Sequence, residues 1–239
     1  MSQRPESDLL SGLESPANSV LVALDVPDRE RALQLAGELT GEVGGFKIGL
    51  ELYCSLGPSI VEEIGPDRVF LDLKFHDIPN TVASVSRVAA GLGVRIFNVH
   101  CLGGLDMMRA AAEAAREVNP ESQIIGVTIL TSHDSASLAQ IGLTGEPREA
   151  VKRLATLAQE AGLDGVVCSP REILTVRAVC GDHFLLVTPG IRPAHASLGD
   201  QKRVLTPREA LEAGADYLVV GRPIVAAASP VQAARTLFD

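Results

Sequence analysis

The chain has no tryptophan, aromatic residues make up only 3% of it, and its formal net charge is −9. Acidic and basic residues are interleaved, so the sequence offers neither a basic stripe for a phosphate backbone nor many rings for base stacking. We therefore expect no nucleic-acid partner. A small anionic ligand stays compatible with this composition, because a few cations in a pocket create a local positive field.

Long hydrophobic runs are also missing. No apolar stretch approaches the roughly 18 residues that a membrane-spanning helix needs. The first ten residues, MSQRPESDLL, lack the basic-then-apolar order of a secretory signal. We therefore expect no membrane association and a cytoplasmic location.

Cysteine and histidine residues are not spaced as metal ligands. The four cysteines are scattered without a CxxC pair, and His133, His183 and His195 show no metal-ligand spacing to one another. We expect no metal site. The cysteines are interpreted as buried free thiols rather than as disulfides or metal ligands: Cys54, Cys101, Cys168 and Cys180.

What the chain does contain is a repeated alternation of short β-forming runs with longer stretches of helical periodicity. Eight such units most economically close into an α/β fold of the (β/α)8 TIM-barrel type, with a single barrel domain over 19–239 after an N-terminal lead-in over 1–18. A doubly wound open sheet is the alternative, which the absence of GxGxxG after the first strand disfavours. The predicted strands span 19–26, 45–50, 68–75, 95–100, 123–130, 165–169, 184–190 and 217–224.

Charged residues interrupt the third of these strands in LDLKFHDIPNT (71–81). Because strand side chains alternate between two faces, Asp72 and Lys74 are expected to point into the barrel mouth, and the same alternation turns Lys47 inward. Each charge alone could simply be a solvated strand end. A lysine held between carboxylates, however, keeps its proton and is fixed in position, as a directional proton donor needs to be.

A second group of residues is typical of phosphate binding. TPGIRP (188–193) follows the seventh strand and VVGRPI (219–224) includes the end of the eighth. In many (β/α)8 barrels the loops at these two positions hold a phosphate, with glycines permitting close approach and arginines adding charge. Gly190, Arg192, Gly221 and Arg222 are the candidates. The helix-free segment 191–207 is long for a compact domain, which suggests a functional loop.

Together these motifs resemble the bacterial orotidine 5′-phosphate decarboxylase family. The resemblance runs in order from residue 19 to the C-terminus. It is carried by ALD (23–25), FKIG (46–49), DLKFHDIPNT (72–81), NVH (98–100), TILTS (128–132), TPGIRP (188–193), GDQKRVLTP (199–207) and GADYLVVGRPI (214–224).

The resemblance implies a decarboxylase, needing no metal or cofactor, that converts orotidine 5′-phosphate to UMP and CO2 in the last step of de novo pyrimidine synthesis. Lys74 would protonate C6 of the pyrimidine, and segment 191–207 would close over the substrate. The implied catalytic array is Lys47, Asp72, Lys74 and Asp77.

The same resemblance implies a homodimer, because Asp77 and Thr81 would reach into the partner subunit's site. Asp25 would hold a ribose hydroxyl and Thr131 would contact the pyrimidine. Gln201, Gly221 and Arg222 would grip the phosphate, with Arg192 beside them. The remaining substrate contacts expected are Lys47, Ile78 and Pro189.

Two other functions are compatible with parts of the pattern. Magnesium-dependent sugar-phosphate decarboxylases and aldolases of the same suprafamily share DxKxxD, but they use an acidic residue near the end of the second strand, where this chain has Lys47. A lysine there would repel the cation. A non-catalytic nucleotide-binding barrel is the other alternative, because fold alone does not determine function.

Overall fold

The computed structural model describes residues 16–192 and 205–239 and confirms the predicted barrel. Eight parallel strands in this part of the chain pair in sequence order, and β8 closes onto β1. The strands are β1 Val20–Ala23, β2 Gly45–Gly49, β3 Val69–Phe75, β4 Ile96–His100, β5 Gln123–Val127, β6 Gly165–Val167, β7 Leu185–Pro189 and β8 Tyr217–Val220.

Helices separate the strands and cover the outside of the barrel. Side chains cap several of their first turns: Asp28 accepts hydrogen bonds at the start of α1, and Asp134 and Thr206 form capping boxes before α6 and α9. The helices are α1 Arg29–Leu39, α2 Leu50–Leu56, α3 Ser59–Ile64, α4 Pro79–Gly91, α5 Gly104–Val118, α6 Ser135–Gln140, α7 Pro147–Glu160, α8 Ile173–Cys180, α9 Pro207–Glu212, α10 Arg222–Val225 and α11 Pro230–Arg235.

The core has two layers, as strand alternation requires. Residues such as Leu24, Phe46 and Ile48 pack between the strands and the helices. A smaller cluster fills the barrel interior: Leu21, Ala23, Phe70, Ile96, Ile125, Val187, Tyr217 and Val219. The interior is therefore packed, which leaves the open end of the barrel as the place for a ligand.

Several strands end earlier than the sequence pattern predicted. β1 stops at Ala23 instead of 26, and β5 stops at Val127 instead of 130, so the polar residues that follow lie in loops at the barrel mouth. The predicted eighth strand included 221–224, but Arg222–Val225 forms the short helix α10. Pro223 explains this difference, because proline lacks the N–H that a barrel strand would use and fits the first turn of a helix.

The prediction of buried thiols is correct for three cysteines and wrong for Cys54, which is exposed on α2. A seven-residue helix on the barrel exterior turns one face to solvent, and Cys54 lies on that face. All four cysteines are free. Burial raises the pKa of the Cys101 and Cys168 thiols to about 12, so both are protonated at neutral pH.

Neither a membrane-spanning helix nor a cluster of metal ligands is found in the described ranges. None of their helices is long and apolar enough to cross a membrane. Among these same residues, no group of three or more His, Cys, Asp or Glu side chains is arranged to hold a metal ion.

Two arginines anchor strand starts at the end of the barrel opposite the mouth. Arg177 of α8 donates to the carboxylate of Asp216, 2.6 Å away, and that carboxylate accepts the backbone N–H of Leu186 in β7. Arg116 of α5 makes the equivalent contact with Asp164, 3.1 Å away, before β6. The two carboxylates are about equally exposed, at 34% and 33%, but the Arg177 side chain is 13% exposed and that of Arg116 is 44% exposed, so the pairs differ in how far the arginine is shielded from water.

Candidate active site

A cavity of about 190 Å3 opens at the carboxyl ends of the strands, the position of active sites in (β/α)8 barrels. Charged groups occupy one side of it and apolar groups most of the other. The lining residues are Lys47, Phe70, Asp72, Lys74, Val127, Ile129, Leu130, Thr131, Val167, Cys168, Pro189 and Val219.

Lys47 lies on β2 between two carboxylates. Its neighbours Phe46 and Ile48 pack outward in the main core, so strand alternation turns Lys47 inward as predicted. Its Nζ is 2.9 Å from Asp25 Oδ1 and 3.5 Å from Asp72 Oδ2. The Lys47 side chain is 10% exposed, so this ammonium is held in place by its two partners rather than by water.

Asp72 is the centre of the charged side of the cavity. It accepts hydrogen bonds from Lys74 Nζ and from Asn98 Nδ2, each 2.6 Å away, on the same carboxylate oxygen. Burial alone would raise the pKa of Asp72, but the charges of Lys47 and Lys74 and these hydrogen bonds outweigh burial and lower it. Asp72 is therefore ionised at neutral pH and bridges the two lysines.

Lys74 has an unusual backbone conformation. Its φ is +53°, and among the non-glycine residues of the described ranges it alone has a positive φ. Regular alternation was expected through this strand, but the register of β3 against β4 shifts between Leu71 and Phe75. The inward direction of Lys74 is thus correct, but a bulge and a left-handed residue produce it instead of simple alternation.

Gly49 contributes to the site although sequence reasoning assigned it no role. It ends β2, and a Cβ built on it would lie 2.9 Å from Lys47 Nζ and 3.2 Å from Asp25 Oδ1. Any larger residue would press on this ion pair. Its presence in the FKIG motif was the available signal, but the close contact depends on how β1 and β2 meet.

Two histidines stack beside the charged cluster. The rings of His76 and His100 lie 5.2 Å apart with 22° between their planes, and His100 Nδ1 accepts the backbone N–H of Leu102. Burial lowers the pKa of His100 to about 4, and the nearby charges of His76, Lys74 and His133 act in the same direction. His100 is therefore neutral at pH 7 and lies near Lys74 without adding a charge.

The other predicted substrate residues surround the mouth. Thr131 and Pro189 line the cavity, and Gly221 lies near Asp25, because a Cβ on it would be 3.9 Å from Asp25 Oδ2. Arg192 is 9% exposed and its backbone N–H donates to Leu205 O, which joins the two ends of the long loop.

Arg222 and Gln201 are the two remaining candidates, and the structure describes only Arg222. Arg222 begins α10 directly after Gly221, at the end of the barrel where the cavity opens. Gln201 and most of the predicted closing loop lie outside the described residues.

Asp77, Ile78 and Thr81 do not line the cavity. They are exposed in the turn after β3 and in the first turn of α4, and Ile78 is 66% exposed. Asp77 accepts the backbone N–H of Ile78 and forms no ion pair with Lys47 or Lys74 within this chain. The structure thus brings together Lys47, Asp72 and Lys74 but leaves Asp77 apart from them.

This arrangement places two ammonium groups and an ionised carboxylate against an apolar wall. A planar ring in the cavity would have Lys74 on its charged side as a proton donor and the methyl groups of Val127, Ile129 and Val167 on the opposite side. The geometry therefore suits proton delivery to a carbon of a bound ring better than hydrolysis, for which no activated nucleophile is present among the lining residues.

Comparison with known proteins agrees with this geometry. The chain matches the family model "Orotidine 5'-phosphate decarboxylase / HUMPS family" over residues 18–237. It is 53% identical over 220 residues to orotidine 5′-phosphate decarboxylase of Nitrosococcus oceani, covering 91% of this chain and 95% of the relative. It is 52% identical over 229 residues to the Moorella thermoacetica protein of the same name, covering 92% and 90%.

Solved structures show the same relationship. The crystal structure of orotidine 5′-phosphate decarboxylase from Lactobacillus acidophilus superposes with a TM-score of 0.80 at 35% identity, covering 91% of this chain and 96% of the other. An uncharacterised conserved protein from Geobacillus kaustophilus superposes with a TM-score of 0.79 at 38% identity, covering 91% and 97%. On the barrel, the charged cluster at its mouth and these matches, the chain belongs to the orotidine 5′-phosphate decarboxylase / HUMPS family.

Proposed function

We propose that this protein is an orotidine 5′-phosphate decarboxylase, which converts orotidine 5′-phosphate to UMP and CO2 in the last step of de novo pyrimidine synthesis. The observation that carries the proposal is the Lys47–Asp72–Lys74 cluster in the cavity of a chain about half identical to curated decarboxylases over nine-tenths of its length. The reaction uses side chains alone, without metal or organic cofactor.

In the proposed reaction the pyrimidine ring lies in the cavity with C6 and its carboxylate beside Lys74. The bond from C6 to the carboxylate carbon breaks, its electron pair stays on C6, and CO2 leaves. The Lys74 ammonium then delivers a proton to C6, which gives UMP, and the neutral amine regains a proton from solvent. Asp72, 2.6 Å from Lys74 Nζ, holds the ammonium in position for this transfer.

The rest of the substrate is assigned to the rim of the cavity. Asp25 is 59% exposed and can accept a ribose hydroxyl while it keeps its contact with Lys47. Thr131 and Pro189 flank the ring. Arg192 and Arg222, with Gly221 and Gln201, complete the site as phosphate ligands, because guanidinium groups suit phosphate oxygens and the two arginines follow β7 and β8.

The active enzyme is proposed to be a homodimer. Asp77, Ile78 and Thr81 are exposed and separate from their own cavity, so they are available to complete the site of a second copy. Mixing an Asp77→Ala chain with a Lys74→Ala chain then restores one complete site in each hybrid, about a quarter of wild-type activity after statistical exchange. Stable hybrids without activity would rule out shared sites.

We also propose a cytoplasmic location. Four free cysteines, one of them exposed, fit a reducing compartment better than an oxidising one.

The proposed activity is tested by incubating the purified protein with orotidine 5′-phosphate and following the loss of its ultraviolet absorbance. Wild-type protein should consume the substrate, and Lys74→Ala should not. Equal rates for both, or no consumption by wild type, would refute the assignment. Activity that EDTA abolishes and magnesium restores would instead support the sugar-phosphate branch of the family.

A further inference from the structure

The β3 bulge leaves a specific gap in the hydrogen-bonding ladder. Leu71 pairs with Phe97 and Phe75 pairs with Val99, so three residues of β3 stand opposite a single residue of β4, Asn98. A bulge of this kind separates backbone groups from their usual partners on the neighbouring strand. The side chain of Asn98 lies where it can form a hydrogen bond with the backbone N–H of Lys74, within the bulge.

Asn98 makes two hydrogen bonds of opposite polarity across this gap. Its Oδ1 accepts the backbone N–H of Lys74 at 2.7 Å, and its Nδ2 donates to Asp72 Oδ1 at 2.6 Å. The orientation of the amide follows from chemistry, because a backbone N–H only donates and a carboxylate only accepts. Asn98 is fully buried, so water does not compete for either bond.

We propose that Asn98 is a positioning residue for the decarboxylation, which clamps Lys74 in its left-handed backbone conformation and aligns the Asp72 carboxylate with the Lys74 ammonium. This inference rests on the proposed function and adds to it a residue that need not touch the substrate. Asn98 thus holds two groups at once, the backbone of Lys74 and the side chain of Asp72.

The side chains most similar to asparagine do not provide this pair of contacts at position 98. Aspartate can accept from the Lys74 N–H but places a second carboxylate against Asp72. Serine offers one oxygen where two separated atoms are needed, and glutamine adds a methylene group in a space that is already fully buried. An asparagine, with one donor and one acceptor on a short planar group, meets the requirement.

The test compares Asn98→Ala and Asn98→Asp with wild type in the orotidine 5′-phosphate assay. Loss of hydrogen bonds to a charged group predicts that kcat falls about 10- to 100-fold in Asn98→Ala. KM should stay close to that of wild type, because the phosphate and ribose contacts are unchanged. Wild-type turnover in the same assay tests the proposed function, and the variant-to-wild-type ratio tests the role of Asn98.

Asn98→Asp gives a signature that a purely structural role would not. At neutral pH two carboxylates oppose each other beside Lys47 and Lys74, and their repulsion favours uptake of one shared proton as pH falls. The introduced carboxyl group, once protonated, can donate to Asp72 as the amide did. We therefore expect the activity of Asn98→Asp, relative to wild type, to rise between about pH 8 and about pH 5, while that of Asn98→Ala does not.

Ser122→Ala is the matched control. Ser122 is also a buried polar residue, but it lies just before β5, and its hydroxyl donates to the backbone oxygen of Val94, just before β4, at the opposite end of the barrel. The fraction of each chain that binds UMP, measured by calorimetry, corrects for misfolded protein. Unchanged kcat in Asn98→Ala would overturn the proposal, and so would a loss of kcat no larger than the fall in the fraction of chain that binds UMP. An activity of Asn98→Asp, relative to wild type, that does not change with pH would also overturn it.

Discussion

Replacing Gly49 by alanine adds one methyl group beside the ion pair of Lys47 and Asp25. The new Cβ would lie 2.9 Å from Lys47 Nζ, whereas ordinary contact begins at 3.4 Å, so the ammonium must retreat by about 0.5 Å, the difference of the two distances. Asp25 Oδ1, at 3.2 Å, is pressed as well. The substitution therefore displaces one member of the charged cluster without removing any charge.

The expected result is a loss of activity with little loss of stability. Displacing a catalytic group by up to an ångström can lower the reaction rate by as much as about 100-fold, so we expect kcat to fall roughly 10- to 100-fold. The backbone at Gly49 has φ −91° and ψ −178°, an extended conformation open to alanine, so the unfolding free energy should change by less than about 1 kcal/mol. Steady-state kinetics and urea unfolding measure the two quantities.

Gly37→Ala is the matched control for this experiment. Gly37 lies within α1, and a Cβ there would meet nothing within 4 Å. Alanine should stabilise the helix by up to about 1 kcal/mol and leave turnover unchanged. If Gly49→Ala turned over substrate as fast as wild type, the position of the Lys47 ammonium would not matter for catalysis and the reasoning would be wrong.

Two further predictions concern stability. Arg177→Met should lower the unfolding free energy by about 3 kcal/mol, because Arg177 is largely buried and donates to three backbone oxygens as well as to Asp216. The equivalent Arg116→Met removes a more exposed arginine and should cost about 1 kcal/mol or less, so equal melting-temperature losses would contradict this. The lowered pKa of His100, about 4 against 6.5, means that the unfolded chain binds an extra proton between these values. His100 thus contributes stability that is present above pH 6.5 and lost as pH falls toward 4. In urea unfolding, the unfolding free energy of His100→Gln should fall less steeply with decreasing pH over that range than that of wild type. An equal dependence on pH in the two proteins would refute the lowered pKa of His100.

Much of the fold was predictable from local pattern. Eight β-forming runs separated by amphipathic stretches are sufficient to indicate a parallel barrel, because each crossover needs a helix and each strand needs a neighbour. The inward direction of Lys47 followed from its apolar neighbours Phe46 and Ile48. These features depend on residues close together in the sequence, where periodicity is informative.

The prediction was weaker where the chain departs from regular geometry. Regular alternation indicated the right face for Lys74 but not the bulge that places it there. Asn98 was visible as a polar residue on a predicted strand, yet its partners lie 24 and 26 residues away. Nothing in the local pattern around Gly49 indicates that Lys47 Nζ would lie against it. Such contacts depend on the register between strands, which local periodicity does not specify.

Strand period and residue type were enough to specify the barrel, the inward Lys47 and Asp72, and the motifs that mark the family. The folded barrel was needed to show that Asp72 bridges both lysines, that Asn98 holds Lys74 in a left-handed conformation, and that Asp77 stands apart from its own cavity. Those outcomes depend on distances between strands that are remote in sequence, and packing sets such distances only when the barrel closes.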